Sequence, residues 1–308
     1  MNIYNDISHI ALKTEEGTAL ALGKFDGLHK GHRMLIDMVV DQEKMGLLPA
    51  VFTFAKAPRE HIDHVQQSYI LTRREKSLFM EKSGVKILVE HPLNDSIIKT
   101  EPEIFVRDIL VGALHMKKIY CGTDLRFGHN RTGDVKLLRN LQDKYGYETI
   151  VLDKLKYNER EISSTYIKEE LKKGSIGLIN QLLGYPYTLI GVVEHGKKLG
   201  RTLGFPTVNI VPEVDKMLPP NGVYFTRAII DGKSYEAITN IGVRPSVDSE
   251  DKLTVETHIL NMSEELYGQT LEIQFLEFNR YEMKFDSKEE LKAAVERDIQ
   301  LCKKYFAK

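Results

Sequence analysis

The densest group of residues that could do chemistry is the stretch 23–32, which reads GKFDGLHKGH. Its glycines at 23, 27 and 31 allow the backbone to turn tightly and to approach a ligand closely. The stretch follows an apolar run and opens a helical pattern, so free amides of a helix start would meet the imidazoles of His29 and His32. This combination predicts an anion site suited to phosphates, with His29 in the turn and His32 in the first helical turn.

Two other interpretations of this histidine pair stay open. A His-x-x-His pair can bind zinc, although a closed zinc site needs further ligands and none stands nearby at a recognisable spacing. The pair can also be incidental to an ordinary helix start. A dinucleotide-binding fingerprint is excluded, because the sequence contains no Gly-x-Gly.

A second motif lies at 200–209 and reads GRTLGFPTVN. A glycine-rich turn that ends in Thr207 and Asn209 offers oxygen ligands for a hard cation such as Mg²⁺. Farther on, Glu256 places a carboxylate between apolar neighbours in a predicted strand. From spacing alone, the ordinary interpretation of such a strand glutamate is that it faces solvent.

The elements that must position the first motif alternate between apolar runs and helical patterns. The predicted strands are 18–23, 50–54, 85–89, 118–121 and 149–152. The predicted helices are 34–45, 72–83, 102–110, 135–145, 163–173 and 176–183, and Thr72 with Glu75 forms a capping box. This order predicts an α/β domain with a doubly wound parallel sheet, which binds ligands at the carboxyl ends of its strands.

The second half changes character after Gly184-Tyr185-Pro186, which predicts a boundary between domains 1–183 and 184–308. Runs at 188–193, 223–230, 234–238, 253–259 and 270–278 read as strands without intervening helices. Asp231-Gly232 is a hairpin signal, and Ser287 caps a final helix that ends near Lys304. We expect a small antiparallel β-barrel with a terminal helix.

Composition limits the functional classes. The 308 residues allow two domains, and the 43 basic against 44 acidic residues give a net charge of −1, which argues against a general nucleic-acid binder. The two cysteines are too few and too far apart for a disulfide framework. No apolar run approaches the roughly 18 residues that span a bilayer, and no secretory leader is recognisable, so we expect a soluble, cytoplasmic protein.

Residues 23–32 resemble the signature of the nucleotidyltransferase superfamily. In more detail they are similar to the adenylyltransferase part of the bacterial bifunctional riboflavin kinase/FMN adenylyltransferase (FAD synthetase) family. Further stretches agree with that family in its order: 122–128 (GTDLRFG), 162–165 (ISST), 200–209, 220–224 (PNGVY), 240–245 (NIGVRP) and 280–285 (RYEMKF). The resemblance therefore runs from Gly23 to the final helix.

For the first half the resemblance implies FMN adenylylation, in which an FMN phosphate oxygen attacks the α-phosphorus of ATP and pyrophosphate leaves. An anionic nucleophile needs no strong base, so His29, His32 and Lys168 would stabilise charge on the transferred group. The implied contacts to nucleotide or flavin are Gly23, Phe25, Asp26, Gly27, Asp124, Arg126, Phe127, Gly128, Ser163, Ser164, Thr165 and Lys168.

For the second half the resemblance implies riboflavin phosphorylation by ATP, with Glu256 as the base that accepts the proton of the ribityl 5′-hydroxyl. Thr207 and Asn209 would hold Mg²⁺. The other implied contacts are Gly200, Arg201, Gly204, Phe205, Pro206, Gly222, Tyr224, Arg244, Arg280 and Glu282. The partners implied are ATP, riboflavin and FMN, with no nucleic acid and no membrane, in a monomer or weak homo-oligomer.

Some positions depart from the family pattern. Leu125 stands where Phe is usual, Ala294 where Gln is frequent, and Lys168 where Arg is usual, which keeps the charge but loses the bidentate fork. These departures leave two alternatives: a chain with only one of the two activities, or a non-catalytic flavin-binding regulatory protein. Two decoys are interpreted as structural, namely the turn at Gly232-Lys233-Ser234 and the polar pair His61 and His64.

Overall fold

The computed structural model describes residues 1–7, 17–55, 68–196, 200, 203–244, 252–262 and 264–307. These residues form two compact units, Met1–Ser164 and Thr165–Lys308. Arg201, the pair His61 and His64, and the end of the NIGVRP motif beyond Arg244 lie outside the described residues.

The first unit contains a six-stranded parallel sheet in the order β1-β4-β3-β2-β5-β6. Its strands are β1 (Asn2–Tyr4), β2 (Thr18–Leu22), β3 (Leu48–Phe54), β4 (Ile87–His91), β5 (Met116–Gly122) and β6 (Glu148–Leu152). Successive strands run outward in one direction from β2 and in the other from β5. The order therefore reverses between these two neighbours, which is where doubly wound sheets bind ligands.

Helices cover both faces of this sheet. In β2, Leu20 and Leu22 belong to one buried cluster, whereas Ala19 and Ala21 belong to the other. The helices of this unit are α1 (Lys30–Val40), α2 (Arg73–Lys82), α3 (Asp95–Ile98), α4 (Pro102–Ile104) and α5 (Val135–Tyr145). Helix α4 continues as a π-helix, Phe105–Ala113, and a short hairpin follows β6 with strands β7 (Lys156–Tyr157) and β8 (Arg160–Glu161). The capping box predicted at Thr72 is present at the start of α2.

The second unit contains a closed barrel in the order β10-β13-β12-β11-β14-β9. Two helices precede it, α6 (Ser164–Lys173) and α7 (Ile176–Leu183), and α8 (Lys288–Phe306) follows it. The strands are β9 (Tyr187–Glu194), β10 (Val208–Ile210), β11 (Gly222–Ile230), β12 (Lys233–Arg244), β13 (Lys252–Ile259) and β14 (Thr270–Tyr281), all paired antiparallel.

The predicted terminal helix and hairpin are confirmed. Ser287 is the N-cap of α8 and accepts a hydrogen bond from the amide of Glu290. Asp231 and Gly232 connect β11 to β12 with φ of 48° and 76°, so the GKS sequence begins in a hairpin turn and continues into β12. Cys121 and Cys302 are buried free thiols, and burial raises the pKa of each to about 12.

The fold class is as predicted, but the parallel sheet and the barrel each have one strand more than the sequence indicated, and the two-stranded hairpin β7-β8 was also missed. The additional strands β1 and β10 contain three residues each, and those of the hairpin two each, too few for an alternating pattern to show. The helix predicted at 102–110 is present, and most of that segment is a π-helix. Its apolar spacing predicts a helix without distinguishing the two hydrogen-bond periods. No helix among the described residues combines the length and apolar character that crossing a bilayer requires.

Candidate active sites

The loop between β2 and α1 is held by a close approach and a buried hydrogen bond. Gly27 has φ of +83°, and a Cβ there would lie 2.8 Å from Cδ1 of Ile70. The adjacent Asp26 is buried, and its Oδ1 accepts a hydrogen bond of 2.9 Å from the amide of Ile70. Only glycine combines this backbone conformation with this spacing. The loop is therefore fixed against the chain segment that leads into α2.

His29 and His32 lie together at the start of α1, as predicted. His29 is the N-cap, and its Nδ1 accepts a hydrogen bond of 3.4 Å from the amide of His32. Because Nδ1 is an acceptor, the neutral ring carries its proton on Nε2. The two rings stack with centroids 3.7 Å apart and planes inclined by 17°, an arrangement in which they do not converge on one metal ion.

Burial decides the charge of this pair. It lowers the pKa of His29 from 6.5 to about 4, although Asp26 and Asp124 act in the opposite direction. Burial and the neighbouring His29 also hold the pKa of His32 well below its ordinary value. Both imidazoles are therefore neutral near pH 7. As neutral rings they can meet a phosphate as hydrogen-bond donors, which is compatible with the predicted stabilisation of charge on the transferred group.

Two other segments reach this loop within the first unit. Asp124 follows β5, the neighbour of β2, and its carboxylate is close enough to raise the pKa of His29. Ser164, the first residue of α6, donates a hydrogen bond of 2.7 Å from its hydroxyl to the carbonyl oxygen of Asp26. The loop between β2 and α1 is thereby approached by Asp124 and Ser164, which lie about 100 and 138 residues after Asp26 in the sequence. Ser163 directly precedes this helix, and Thr165 and Lys168 lie on it.

Some predicted contacts of the first unit are packed against neighbouring side chains. Phe25 is 2% exposed and its ring packs edge-on against His32, at 5.2 Å between centroids. Phe127 is buried against Phe105. Both rings support the loops that carry them, and their contact with a ligand stays a prediction. Gly128 has φ of +69° and packs on Pro102, Gly23 is half-buried, and Arg126 is exposed with Nη1 donating to the carbonyl of Leu125.

In the barrel, Glu256 lies at the centre of a cross-strand row. It pairs directly with Asn209 of β10 on one side and with Asn240 of β12 on the other. Its neighbours Val255 and Thr257 are 0% exposed and point into the barrel. Since side chains alternate along a strand, Glu256 and the two asparagines share the outward face. Glu256 itself is half-buried there.

The loop before β10 packs against this row. Pro206 accepts, through its carbonyl oxygen, a hydrogen bond from Nδ1 of His258, the residue two places after Glu256. Phe205 packs edge-on against the same imidazole, and its amide donates to the carbonyl of Gly200. A Cβ at Gly200 would lie 3.3 Å from Oγ1 of Thr207, and Gly204 has φ of +90°. The predicted glycine-rich turn thus holds Thr207 next to β13.

A small cavity lies where this loop meets the segment after β13. Its volume is about 50 Å³. The segment after β13 contributes two carboxylates and an aromatic ring, which the sequence analysis did not single out because no motif marks them. The lining residues are Val193, Pro206, Thr207, Val208, Thr257, Ile259, Met262, Glu264, Glu265, Leu266 and Tyr267.

Glu282 extends the same outward face. A Cβ at Gly242 would lie 2.2 Å from Oε1 of Glu282 and 3.2 Å from Nδ2 of Asn240. The other carboxylate oxygen of Glu282 accepts a hydrogen bond of 3.1 Å from Asn221. Gly242 therefore leaves the space that this carboxylate occupies. Arg244, a further predicted contact, is the last residue of β12.

Two predicted flavin contacts of the barrel have structural partners, and their contact with flavin stays a prediction. Tyr224 is 0% exposed, packs between Phe275 and Phe278, and donates its hydroxyl hydrogen to the carbonyl of Pro220. Arg280 donates from Nε and Nη2 to the carboxylate of Asp298 on α8, with 2.7 Å between Nη2 and Oδ2. Tyr224 is thus a core residue, and Arg280 anchors the terminal helix. Gly222 has φ of +155°, and a Cβ there would lie 2.5 Å from the carbonyl oxygen of Arg280, so this position requires glycine.

Comparison with known proteins gives two domain matches. The FAD synthetase family model matches residues 11–166, and the riboflavin kinase (flavokinase) family model matches residues 183–306. Whole-chain relatives are the bifunctional riboflavin kinase/FMN adenylyltransferases of Haemophilus influenzae and Listeria monocytogenes. They are 33% and 34% identical to this chain, and each alignment covers 97% of both proteins. The protein of the same description from Escherichia coli is 32% identical over 99% of this chain and 98% of its own.

A solved structure is similar over the same length. The crystal structure described as a macrolide-efflux protein from Streptococcus pneumoniae matches with a TM-score of 0.86 and 27% identity, and covers 98% of each chain. Its likeness supports the fold of each unit, and its description applies to that protein alone. Nothing in these comparisons favours a chain with one activity or a non-catalytic flavin-binding protein.

Proposed function

Because the chain belongs to the bifunctional riboflavin kinase/FMN adenylyltransferase family, we propose a division of its two reactions between the two sites described above. The enzyme is a transferase that makes FMN from riboflavin and FAD from FMN. The FAD synthetase part precedes the kinase part in the chain. We place the boundary between residues 183 and 184, since Gly184 ends α7 in the left-handed conformation and the kinase match begins at 183.

Adenylyl transfer is assigned to the loop between β2 and α1. An FMN phosphate oxygen bonds to the α-phosphorus of ATP while the bond to the pyrophosphate oxygen breaks, and pyrophosphate carries away the negative charge. His29, through its Nε2 hydrogen, and His32 donate hydrogen bonds to the phosphates. The geometry of Gly23, Asp26 and Gly27 shapes the loop, and Phe25 supports it from behind.

The remaining contacts of this site are assigned by their place in the chain. Asp124, Arg126 and Gly128 contact the flavin nucleotide at the end of β5, with Phe127 packed beneath them. Ser163, Ser164, Thr165 and Lys168 offer amides, hydroxyls and a cation to the phosphates of ATP at the start of α6.

Riboflavin phosphorylation is assigned to the outward face of the barrel. The ribityl 5′-hydroxyl is a neutral nucleophile, so a base must take its proton as the oxygen bonds to the γ-phosphorus and ADP leaves. Glu256 is that base. The observation that carries this assignment is the pairing of Glu256 with Asn209 on one side and Asn240 on the other. This pairing holds the carboxylate on a rigid sheet beside the loop that precedes β10.

The oxygen-rich side chains of this face suit Mg²⁺. Thr207 and Asn209 supply a hydroxyl and an amide oxygen, which are hard ligands, and Glu256 stands next to Asn209 across the strands. When bound, Mg²⁺ neutralises charge on the phosphates of ATP. Mg²⁺ commonly keeps one or two protein ligands and completes its coordination with substrate phosphates, so we propose that the ion is shared with the nucleotide.

The contacts around riboflavin follow from the same face. Gly200, Gly204, Phe205 and Pro206 are assigned to the nucleotide, and so, from the sequence resemblance alone, is Arg201. On the flavin side, Gly222, Arg244 and Glu282 border the ligand, while Tyr224 and Arg280 act by holding the strands and the terminal helix. We further propose that the enzyme works in the cytoplasm as a monomer or weak homo-oligomer.

The test uses the purified full-length chain with ATP, supplied separately with riboflavin and with FMN. We expect FMN and ADP in the first reaction, and FAD and pyrophosphate in the second, resolved by chromatography. A chelator should stop both reactions and added Mg²⁺ should restore them. If only one of the two substrates fails to react, the corresponding site assignment is wrong. If no divalent ion restores activity after the chelator, the metal assignment is refuted.

A further inference from the structure

Lys154 lies between two parts of the adenylyl-transfer site. It follows β6 by two residues, at the carboxyl end of the sheet. Its Nζ is 3.0 Å from Oδ2 of Asp124 and 2.9 Å from Oε2 of Glu161. The side chain is 30% exposed. No motif of the sequence includes this lysine.

The two carboxylates belong to segments that are far apart in the sequence. Asp124 stands in the loop after β5, and Glu161 ends β8, two residues before Ser163. The hairpin that carries Glu161 turns at Asn158 and Glu159, both at positive φ. The ammonium of Lys154 therefore connects the loop after β5, which contains Asp124, with the segment that leads into the Ser163-Ser164-Thr165 motif.

Lys154 also changes the charge that the histidine pair experiences. The titratable groups that act on His29 are Asp26 in its own loop, His32 on α1 and Asp124 after β5. Asp26 and Asp124 raise the pKa of His29, whereas burial lowers it. Since the cation of Lys154 sits against Asp124, it offsets one of the two negative charges that favour a protonated His29.

We propose that Lys154 is a positioning residue for adenylyl transfer, which holds the Asp124 loop against the Glu161 hairpin and balances the Asp124 carboxylate in front of His29. The inference rests on the proposed assignment of Asp124 and His29 to this site. It adds a residue that acts through these neighbours and not by contact with the reacting phosphorus.

Three variants separate this role from a structural one. Lys154→Met removes the charge and keeps most of the side-chain length. Lys156→Met removes a lysine from the same hairpin, and among the described residues this lysine makes no ion pair with Asp124. Lys154→Arg retains a cation that can reach both carboxylates. Partly exposed ion pairs contribute little to stability, so all three chains should fold with unchanged unfolding midpoints.

For Lys154→Met we expect kcat/KM for FMN adenylylation to fall about tenfold, since small misplacements of binding groups are costly for the reaction. Phosphorylation of riboflavin by the same chain should not change, which controls for folding. Lys154→Arg should restore most of the lost activity, and Lys156→Met should resemble the unmodified enzyme.

A second readout follows the charge directly. NMR titration of the imidazole signals, with His29 assigned through a His29→Asn variant, should show a higher pKa for His29 in Lys154→Met than in the unmodified enzyme. An unchanged His29 titration together with activity equal to that of Lys156→Met would overturn the proposal. So would a parallel fall of both activities.

The same variants distinguish this inference from the site assignment on which it rests. If His29→Asn abolishes FAD formation while Lys154→Met has no effect, the site assignment stands and the role of Lys154 is refuted. If His29→Asn leaves FAD formation unchanged, the site assignment fails, and the role of Lys154 fails with it.

Discussion

The two candidate sites are built in opposite ways. In the first unit, the reactive groups stand on loops at strand ends: His29 caps α1, Asp124 follows β5, and Ser164 begins α6. In the barrel, Glu256 stands in the middle of β13 and is flanked on both sides by neighbouring strands. The first site is assembled from the ends of three secondary-structure elements. The second is one face of a continuous sheet.

This difference matches the chemistry assigned to each site. A phosphate nucleophile is already anionic, so its site needs donors that converge on the transferred group, and loops and helix starts provide them. An alcohol nucleophile must lose a proton to a base of defined position, and a paired strand holds such a base rigidly. Accordingly, the imidazoles of the first site are neutral because burial lowers the pKa of each, and they act as donors, whereas the second site presents a carboxylate on an outward face.

Replacement of Glu256 should give the largest difference between the two activities. In Glu256→Gln the side chain keeps its shape but cannot accept the hydroxyl proton, so FMN formation should fall by about 10²- to 10⁴-fold. FAD formation from supplied FMN should not change. Glu277→Gln, at an exposed glutamate in a strand of the same barrel, is the control and should leave both rates unaltered. A loss of both activities in Glu256→Gln, with the fold intact, would contradict two separate sites.

Replacement of His32 should give the converse result. His32→Ala removes a donor from the first site, and FAD formation should fall by roughly 10²- to 10³-fold. Because the ring packs against Phe25 and His29, the unfolding midpoint must be measured as well. His32→Asn keeps an N–H donor and should lose less activity. Equal activity of His32→Ala and the unmodified chain would remove His32 from the mechanism.

The buried imidazole also makes a prediction about pH. The pKa of His29 is about 4 in the folded chain, against an ordinary value of 6.5 in the unfolded chain, so the unfolded state binds more protons between these limits. The free energy of unfolding of the first unit should therefore fall as pH drops from 6.5 toward 4, by about 3 kcal/mol from this group. Denaturant titrations at several pH values should show a shallower fall in His29→Asn. Parallel curves would show that His29 is not buried in its neutral form.

The loop of the first site should be the more sensitive to an added methyl group. Gly27→Ala meets both the positive φ and the side chain of Ile70, whereas Gly46→Ala meets a similar φ of +78° with no atom within 4 Å. Left-handed strain costs about 1–2 kcal/mol in each variant, and only Gly27→Ala should lose more than that and also lose FAD formation. Equal destabilisation of the two variants would show that contact with Ile70 is unimportant.

The sequence predicted the reactive residues better than their supports. Histidines beside glycines, and a glutamate within a strand, carry local signals that a motif preserves. Lys154 carries none, because its partners lie 30 residues before it and 7 after it and meet it only in the folded unit. The structural partners of Tyr224 and Arg280 were not predictable for a related reason. A motif gives the residue type, but burial and the pairing of Arg280 with Asp298 depend on how the barrel closes on its terminal helix.

Strand prediction failed where strands are short. β10 consists of Val208–Ile210, inside a motif whose glycines and proline indicated a turn, yet it closes the barrel between β9 and β13. Its pairing places Asn209 beside Glu256, so the least visible strand provides the contact on which the kinase assignment depends.

The most direct test of two independent sites is complementation between damaged enzymes. Glu256→Gln and His32→Ala, each alone with riboflavin, ATP and Mg²⁺, should make almost no FAD, for lack of FMN in the first case and of adenylylation in the second. Mixed in one tube, they should make FAD, because FMN released by one chain is used by the other. A mixture that forms FMN but no FAD, although Glu256→Gln adenylylates supplied FMN, would contradict free exchange between the sites. A mixture that forms neither product would contradict the division of labour itself.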